Sequence, residues 1–314
     1  MVTELERVRL PNPVMAASGC FGSGQEMGTV MDVKRLGGIV TKSVTARPVR
    51  GLPPPRMAET ASGMLNAIGL QNPGVEGFLR KDGPFIAGVG VPVFVSIAGK
   101  TVEEFAEVAA RLREIPQIAA IEANISCPNV ERRNLVFACD PDAAGQVINR
   151  ITQVTALPVF AKLTPDVSDI VTVARECVRA GATGLSLINT LLGMSIDVDT
   201  FRPRLGAVTG GLSGPAIRPV AVRAVFQVAR ALPEIPIIGM GGIATARDAI
   251  EFLLAGAWAV AIGTANFFNP HVTLEVAAGI ADFLAARGLR SPADLRGRVQ
   301  APEAAVEEPA YRSG

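Results

Sequence analysis

The residues able to do chemistry here are few, and they interrupt otherwise apolar segments: Lys42, Lys162, Asn189, and the string Asn124-Ile125-Ser126-Cys127-Pro128-Asn129. A thiol between amides and beside a rigid proline can act as a base or nucleophile once deprotonated. An ammonium can stabilise an anion that develops during a reaction, or form a Schiff base if its pKa is lowered. Both lysine chemistries stay open at this point. The ordinary fates are a solvated strand-end lysine and a cysteine packed as a small hydrophobe; Cys177, on an apolar helical stripe, is read as core. Cys139 lacks polar company. Cys20, in Ala17-Ser18-Gly19-Cys20, could face a ligand but is assigned to packing. The single histidine, His271, follows Asn269-Pro270 and reads as a helix start. Acid-base work therefore falls to other groups, and no metal site of the common His/Cys kinds is expected.

Two glycine clusters add a second chemistry. Gly239-Met240-Gly241-Gly242-Ile243 and Gly263-Thr264 each close an apolar run. Glycine lets backbone amides approach an anion that a side chain would block, so a phosphate-bearing ligand is favoured over mere tight turns.

These groups must be positioned by the elements between them. Short Val- and Ile-rich runs alternate with segments of helical period, the pattern of parallel strands with helical crossovers. The strand candidates are 14–17, 38–42, 91–97, 119–125, 159–162, 184–188, 235–239 and 257–262. Val102-Phe105-Val108-Ala109-Leu112 and Val167-Ile170-Val171-Ala174-Cys177-Val178 place apolar residues three and four apart, as amphipathic helices do. Eight such units fit a closed (β/α)8 TIM barrel of class α/β, with a doubly wound open sheet as the alternative. Lys42, Asn124 to Asn129, Lys162 and Asn189 then stand at the carboxyl ends of different strands, the face where barrels carry their sites, and the glycine clusters follow the last two strands, where barrels bind phosphate. Long segments at 45–73 and 189–215 are expected to be functional loops over that face.

Composition agrees. In 314 residues, 30 basic and 29 acidic side chains leave a charge of +1, and 49% of the chain is apolar, which excludes disorder and nucleic-acid binding through bulk charge. The longest uncharged stretch, Phe252 to Pro270, is broken by glycines and asparagines and does not read as a membrane span. The opening residues carry acids and do not read as a secretory signal. Four cysteines without CxxC spacing suit a reduced compartment, so a cytoplasmic protein is expected. Residues 1–300 read as one domain and 301–314, rich in Pro, Glu and Ala, as a frayed tail.

Several strings in order resemble the class 1 dihydroorotate dehydrogenases, most closely the class 1B catalytic subunit. They are Pro13 to Gly19, Thr41-Lys42-Ser43-Val44-Thr45, Asn66 to Gly74, Asn124 to Val130, Ala161-Lys162-Leu163-Thr164-Pro165, Thr209 to Pro215, and Gly239 to Ile243. The resemblance implies an FMN enzyme that oxidises dihydroorotate to orotate in pyrimidine synthesis. It implies Cys127 as the base, and Lys162 near the flavin ring, offsetting charge when hydride arrives. Ser18, Lys42, Ser43, Asn124 and Ile188 would line the flavin, while Gly214, Gly241, Gly242, Gly263 and Thr264 would hold its phosphate arm. Lys42, Asn66, Ala67, Ile68, Gly69, Leu70, Asn124, Asn129, Asn189 and Thr190 would surround the substrate. The chemistry is coherent: desaturation removes a proton and a hydride, a flavin accepts the hydride, and a thiol of ordinary pKa is only about 3% thiolate at neutral pH, so the site must favour the thiolate or the rate must climb with pH.

Two positions depart from the family pattern. Ser96 stands where an asparagine near the flavin is usual and is kept as a possible contact, and Glu131-Arg132-Arg133-Asn134 lacks the Gly-Gly expected in the closing loop. The resemblance further implies a homodimer, paired in class 1B with an iron-sulfur FAD subunit that passes electrons to NAD, whereas other class 1 enzymes use fumarate. Competing functions are a flavin-dependent reductase of another pyrimidine and a flavin-free phosphate-binding lyase with a Schiff-base lysine.

Overall fold

The computed structural model describes residues 1–126, 128–129 and 135–300. Cys127 and the tail 301–314 lie outside the described residues, as does the side chain of Asn129.

Every expected strand forms, with ends shifted by one or two residues. They are β1 (Val14–Ala16), β2 (Gly38–Val40), β3 (Val93–Ile97), β4 (Ile118–Asn124), β5 (Val159–Leu163), β6 (Gly184–Leu187), β7 (Ile237–Met240) and β8 (Ala259–Ile262). All pair in parallel, and β8 pairs with β1 through Val260↔Val14, Ala261↔Met15 and Ile262↔Ala16. That pairing closes the barrel and removes the open-sheet alternative.

Alternation sorts each strand into two faces. Outward residues such as Ile39, Val95, Ile121 and Leu163 pack under the helices. Inward residues Met15, Phe94, Ala120, Phe160, Ile238 and Ala259 fill the barrel, with Phe94 and Phe160 edge to face at 5.2 Å. An antiparallel hairpin, Thr3–Leu5 with Val8–Leu10, buries Leu5 and Leu10 against this interior cluster and floors the barrel. Burying each such large side chain is worth about 1.5–3 kcal/mol.

The crossover helices start where the sequence supplies caps. Thr101 accepts the Glu104 N–H ahead of Val102–Arg111, and Thr245 with Asp248 forms a capping box ahead of Ala246–Ala255. The first crossover departs from the pattern, having two short 3-10 turns, Met27–Thr29 and Val33–Arg35, in place of an α-helix.

The two long segments are more ordered than loops. Met57–Thr60 and Gly63–Asn66 come from the first, Leu191–Met194 and Thr209–Ser213 from the second, and together they build one four-stranded antiparallel sheet. Their joint is tight: a Cβ on Gly63 would lie 2.2 Å from the Ser213 carbonyl oxygen, so only glycine fits. The sequence showed no clean alternation here because the glycines that permit the joint break it. No helix among the described residues is long and apolar enough to cross a membrane.

Candidate active site

One step above the apolar floor, the inward positions divide. Four neighbouring strands present Ser96, Glu122, Lys162 and Ser186; the other four present Met240, Ala261, Ala17 and Val40. The polar group includes a buried ion pair, Lys162 Nζ to Glu122 Oε1 at 3.2 Å, with the residues 6% and 1% exposed.

Above this level the strand ends open into a cavity of about 1060 Å³. A chain of hydrogen bonds crosses its wall. The Asn189 amide donates to Asn124 Oδ1 at 3.2 Å, Asn124 Nδ2 donates to Ser43 Oγ at 3.1 Å, and the Ser43 and Ser96 hydroxyls meet at 2.9 Å. Ser96 is thus fully buried behind Ser43 and does not border the cavity, which corrects its reading as a flavin contact. A serine at this depth reaches Ser43 and stops there.

Lys42, at the end of β2, is half-buried on the cavity wall and has no ion pair among the described residues. Burial pushes its pKa down, partly opposed by Cys20. Cys20 is the second correction: its thiol borders the cavity instead of packing in the core. Burial pushes that thiol up to about 11, with Lys162 and Lys42 pulling the other way. It therefore holds its proton at neutral pH. The signal was available, since Ser18 and Gly19 directly after β1 turn the chain over the barrel mouth.

Opposite the lysines, backbone dominates. Gly214 (φ +95°), Gly241 (φ +131°) and Gly242 (φ +77°) lie in the left-handed half of backbone space. A Cβ on Gly242 would come within 2.7 Å of the Gly214 carbonyl, so the turns after β6 and β7 touch backbone to backbone. Thr264 Oγ1 donates to Ser213 Oγ at 2.8 Å and ties in the turn after β8.

The cavity wall brings together Ser18, Lys42, Ser43, Asn66, Ala67, Ile68, Gly69, Leu70, Asn124, Lys162, Ile188, Asn189, Thr190, Gly214, Gly241, Gly242, Gly263 and Thr264. Apart from Ser96 and Asn129, whose side chain lies outside the described residues, every described residue expected at the site borders this one space. His271 stands apart as an exposed residue opening the helix Val272–Ala286. Cys177 is fully buried, as expected. Two functional candidates were missed. Glu122 was hidden inside an apolar strand, and Ser126, whose buried hydroxyl has no hydrogen-bond partner among the described residues, also borders the cavity.

The wall can hold an anion against backbone at one end and a polar, planar molecule against lysines and amides at the other. Its volume stands at the upper end of the roughly 300–1,000 Å³ range of ligand pockets, which suits a ligand larger than a single small ring. Lys162 Nζ is engaged with the Glu122 carboxylate, which disfavours it as a Schiff-base nucleophile.

A sequence-family profile described as dihydroorotate dehydrogenase matches residues 1–284. A protein of Geotalea daltonii named dihydroorotate dehydrogenase B (NAD(+)), catalytic subunit, is 50% identical over 297 residues, covering 95% of this chain and 97% of its own. Its namesake from Desulforudis audaxviator is 54% identical over 288 residues, 92% and 94% of the two chains. That from Geobacter sulfurreducens is 50% identical over 297 residues, 95% and 97%. The chain belongs to the dihydroorotate dehydrogenase family, among the class 1B catalytic subunits.

Proposed function

We propose that this protein oxidises (S)-dihydroorotate to orotate in pyrimidine synthesis with FMN as its cofactor, and that its electrons leave through a partner subunit to NAD. The observation that carries the reading is the single cavity on which two lysines, an asparagine chain and three glycine turns converge in a member of this family.

The residues present fit the cofactor. Ser126 offers an orphaned buried hydroxyl at the cavity, and Gly214, Gly241, Gly242 and Gly263 border it with backbone alone. Gly214, Gly241, Gly242, Gly263 and Thr264 would hold the phosphate arm through backbone amides, as loops after the seventh and eighth strands of barrels do. Ser18, Lys42, Ser43, Asn124, Ile188 and Lys162 would line the ring. When bound, FMN supplies the acceptor, at N5, for the hydride that leaves C6 of the substrate.

The chain's own residues do the rest. Lys42 faces the cavity without a counter-charge among the described residues and suits the substrate carboxylate. Asn66, Asn124, Asn129 and Asn189 present both donors and acceptors to the amide edges of the pyrimidine, with Ala67, Ile68, Gly69, Leu70 and Thr190 shaping its pocket. Cys127 takes the C5 proton; its assignment rests on the sequence string Asn124 to Asn129. Lys162 faces the charge that builds as the hydride is delivered.

The names of the relatives, each a catalytic subunit, support a second subunit, here an iron-sulfur flavoprotein with FAD, bound to a homodimer of this chain. The test is the visible spectrum. Purified protein is expected to be yellow, and dihydroorotate added anaerobically to bleach it. Cys127→Ser should slow that bleaching by roughly 10²–10⁴-fold and move its pH dependence upward, because a hydroxyl is the poorer base. Colourless protein whose lysine is trapped by borohydride with a carbonyl substrate would overturn the reading.

A further inference from the structure

We propose that Glu122 is a positioning residue for the reaction: it fixes the depth of the Lys162 ammonium and sets how much positive charge that ammonium turns toward the flavin. This rests on the flavin reading above.

Glu122 does not border the cavity, so it acts on a ligand only through a neighbour. Its Oε1 accepts from Lys162 Nζ at 3.2 Å, while Oε2, equally buried, has no hydrogen-bond partner among the described residues. Ser96, in register with Glu122 on β3, has its hydroxyl engaged with that of Ser43. Ser186, in register with Lys162 on β6, has an unpartnered hydroxyl. The carboxylate therefore has one described partner, and that partner reaches the cavity. An ammonium carries three donors; one is taken by Glu122, and the others remain for the cavity side.

Stability alone does not account for the pair, because an apolar pair of similar volume commonly serves a core as well or better. The opposite arc of this same barrel is filled that way, with Val40, Ala17, Met240 and Ala261. What the pair provides is an oriented charge. With a carboxylate behind it, Lys162 presents the positive end of a dipole, so charge arriving on the flavin is stabilised in part and not by a full uncompensated cation. The carboxylate also anchors Nζ at that depth through the 3.2 Å contact, so the position of the charge is fixed by the barrel.

Glu122→Gln separates these effects. Among the described residues, Glu122 from β4 pairs with Lys162, and Cys20 from the turn after β1 lies within electrostatic reach of Lys162 and also of Lys42 beyond the end of β2; Cys127 lies outside the described residues. In the variant the counter-charge is gone and Lys162 loses its proton more readily. The midpoint potential of the bound flavin, measured spectroscopically from about pH 6 to about pH 9, is expected to lie above the native value at the acid end, by on the order of tenfold or more in the oxidised-to-reduced equilibrium. That gain should shrink and vanish toward the alkaline end, giving a bend the native plot lacks. Lys42 and both thiols are common to the two proteins, so a bend confined to the variant belongs to Lys162. Adding Lys162→Met should abolish it.

Potentials and slopes matching the native protein at every pH would overturn the inference, as would a bend that survives Lys162→Met. If the glutamine variant does not fold, Glu122→Asp decides. It keeps the charge and withdraws it by one methylene, and an altered potential supports the inference while a native one overturns it. Native protein that binds no flavin refutes the flavin reading and this inference with it; flavin-loaded native protein beside an unaltered variant refutes the inference alone.

Discussion

The two arcs of the barrel interior are built by one rule and filled oppositely. Along β7, β8, β1 and β2 the inward positions above the floor are Met240, Ala261, Ala17 and Val40, and the first cation appears one inward step higher, as Lys42. Along β3 to β6 the corresponding positions are Ser96, Glu122, Lys162 and Ser186. The difference concerns where charge is compensated. In the polar arc the protein supplies both members of the pair, so the cation is held whether or not a ligand is present. Over the apolar arc Lys42 has no described protein partner, so its compensation must come from the ligand. A fixed charge suits a resident cofactor; an uncompensated one suits a substrate that comes and goes.

Breaking the compensated charge should have the largest effect. Lys162→Met strands the Glu122 carboxylate in the barrel, and losing one member of a buried pair costs about 3–5 kcal/mol. A marked fall in thermal midpoint is expected together with slow flavin reduction. Combining Lys162→Met with Glu122→Leu should restore most of the midpoint and none of the reduction rate, separating stability from chemistry within one arc. A double variant as unstable as the single one would mean that the pair's worth lies in packing.

The uncompensated charge should show an intermediate effect confined to substrate. Lys42→Met loses a charge-assisted contact of about 1.5–3 kcal/mol, so KM for dihydroorotate should rise roughly 10- to 100-fold while the fold stays intact. Burial holds the Lys42 pKa below the ordinary lysine value. Its charge is therefore lost at a lower pH than that of a solvated lysine. Native KM should climb with pH across that range, whereas Lys42→Met should give a high and flat profile. A native-like KM and slope in the variant would remove Lys42 from carboxylate binding.

These arcs also show what could be read before the structure. The strands were legible because a buried parallel strand is an uninterrupted apolar run, and Lys42, Lys162 and Asn189 stood out where such runs end. Glu122 was not legible, because it sits in the middle of Ile118–Asn124. Its meaning depends on facing inward beside β5, which is a property of barrel closure. The sheet over the mouth was missed for a related reason: Gly63 and Gly210 are small because another strand lies against them, and a single strand's sequence does not carry its partner's position. Cys20 and Cys127 look alike as free thiols, and only the turn after β1 distinguishes a cavity-facing Cys20 from a core one.

Cys20 gives the smallest and sharpest contrast. Its thiol borders the same cavity, under the influence of both lysines, yet desolvation dominates and holds it at about 11. Since only the thiolate is nucleophilic or basic, about one molecule in a thousand is reactive at pH 8. Cys20→Ser should leave turnover within about twofold and stability within about 1 kcal/mol. Iodoacetamide should label Cys20 slowly at neutral pH and roughly tenfold faster for each pH unit gained up to about pH 10, as mass spectrometry of the tryptic peptide would record. Fast labelling at pH 7 would mean that the two lysines outweigh burial and that Cys20 is itself a reactive thiol.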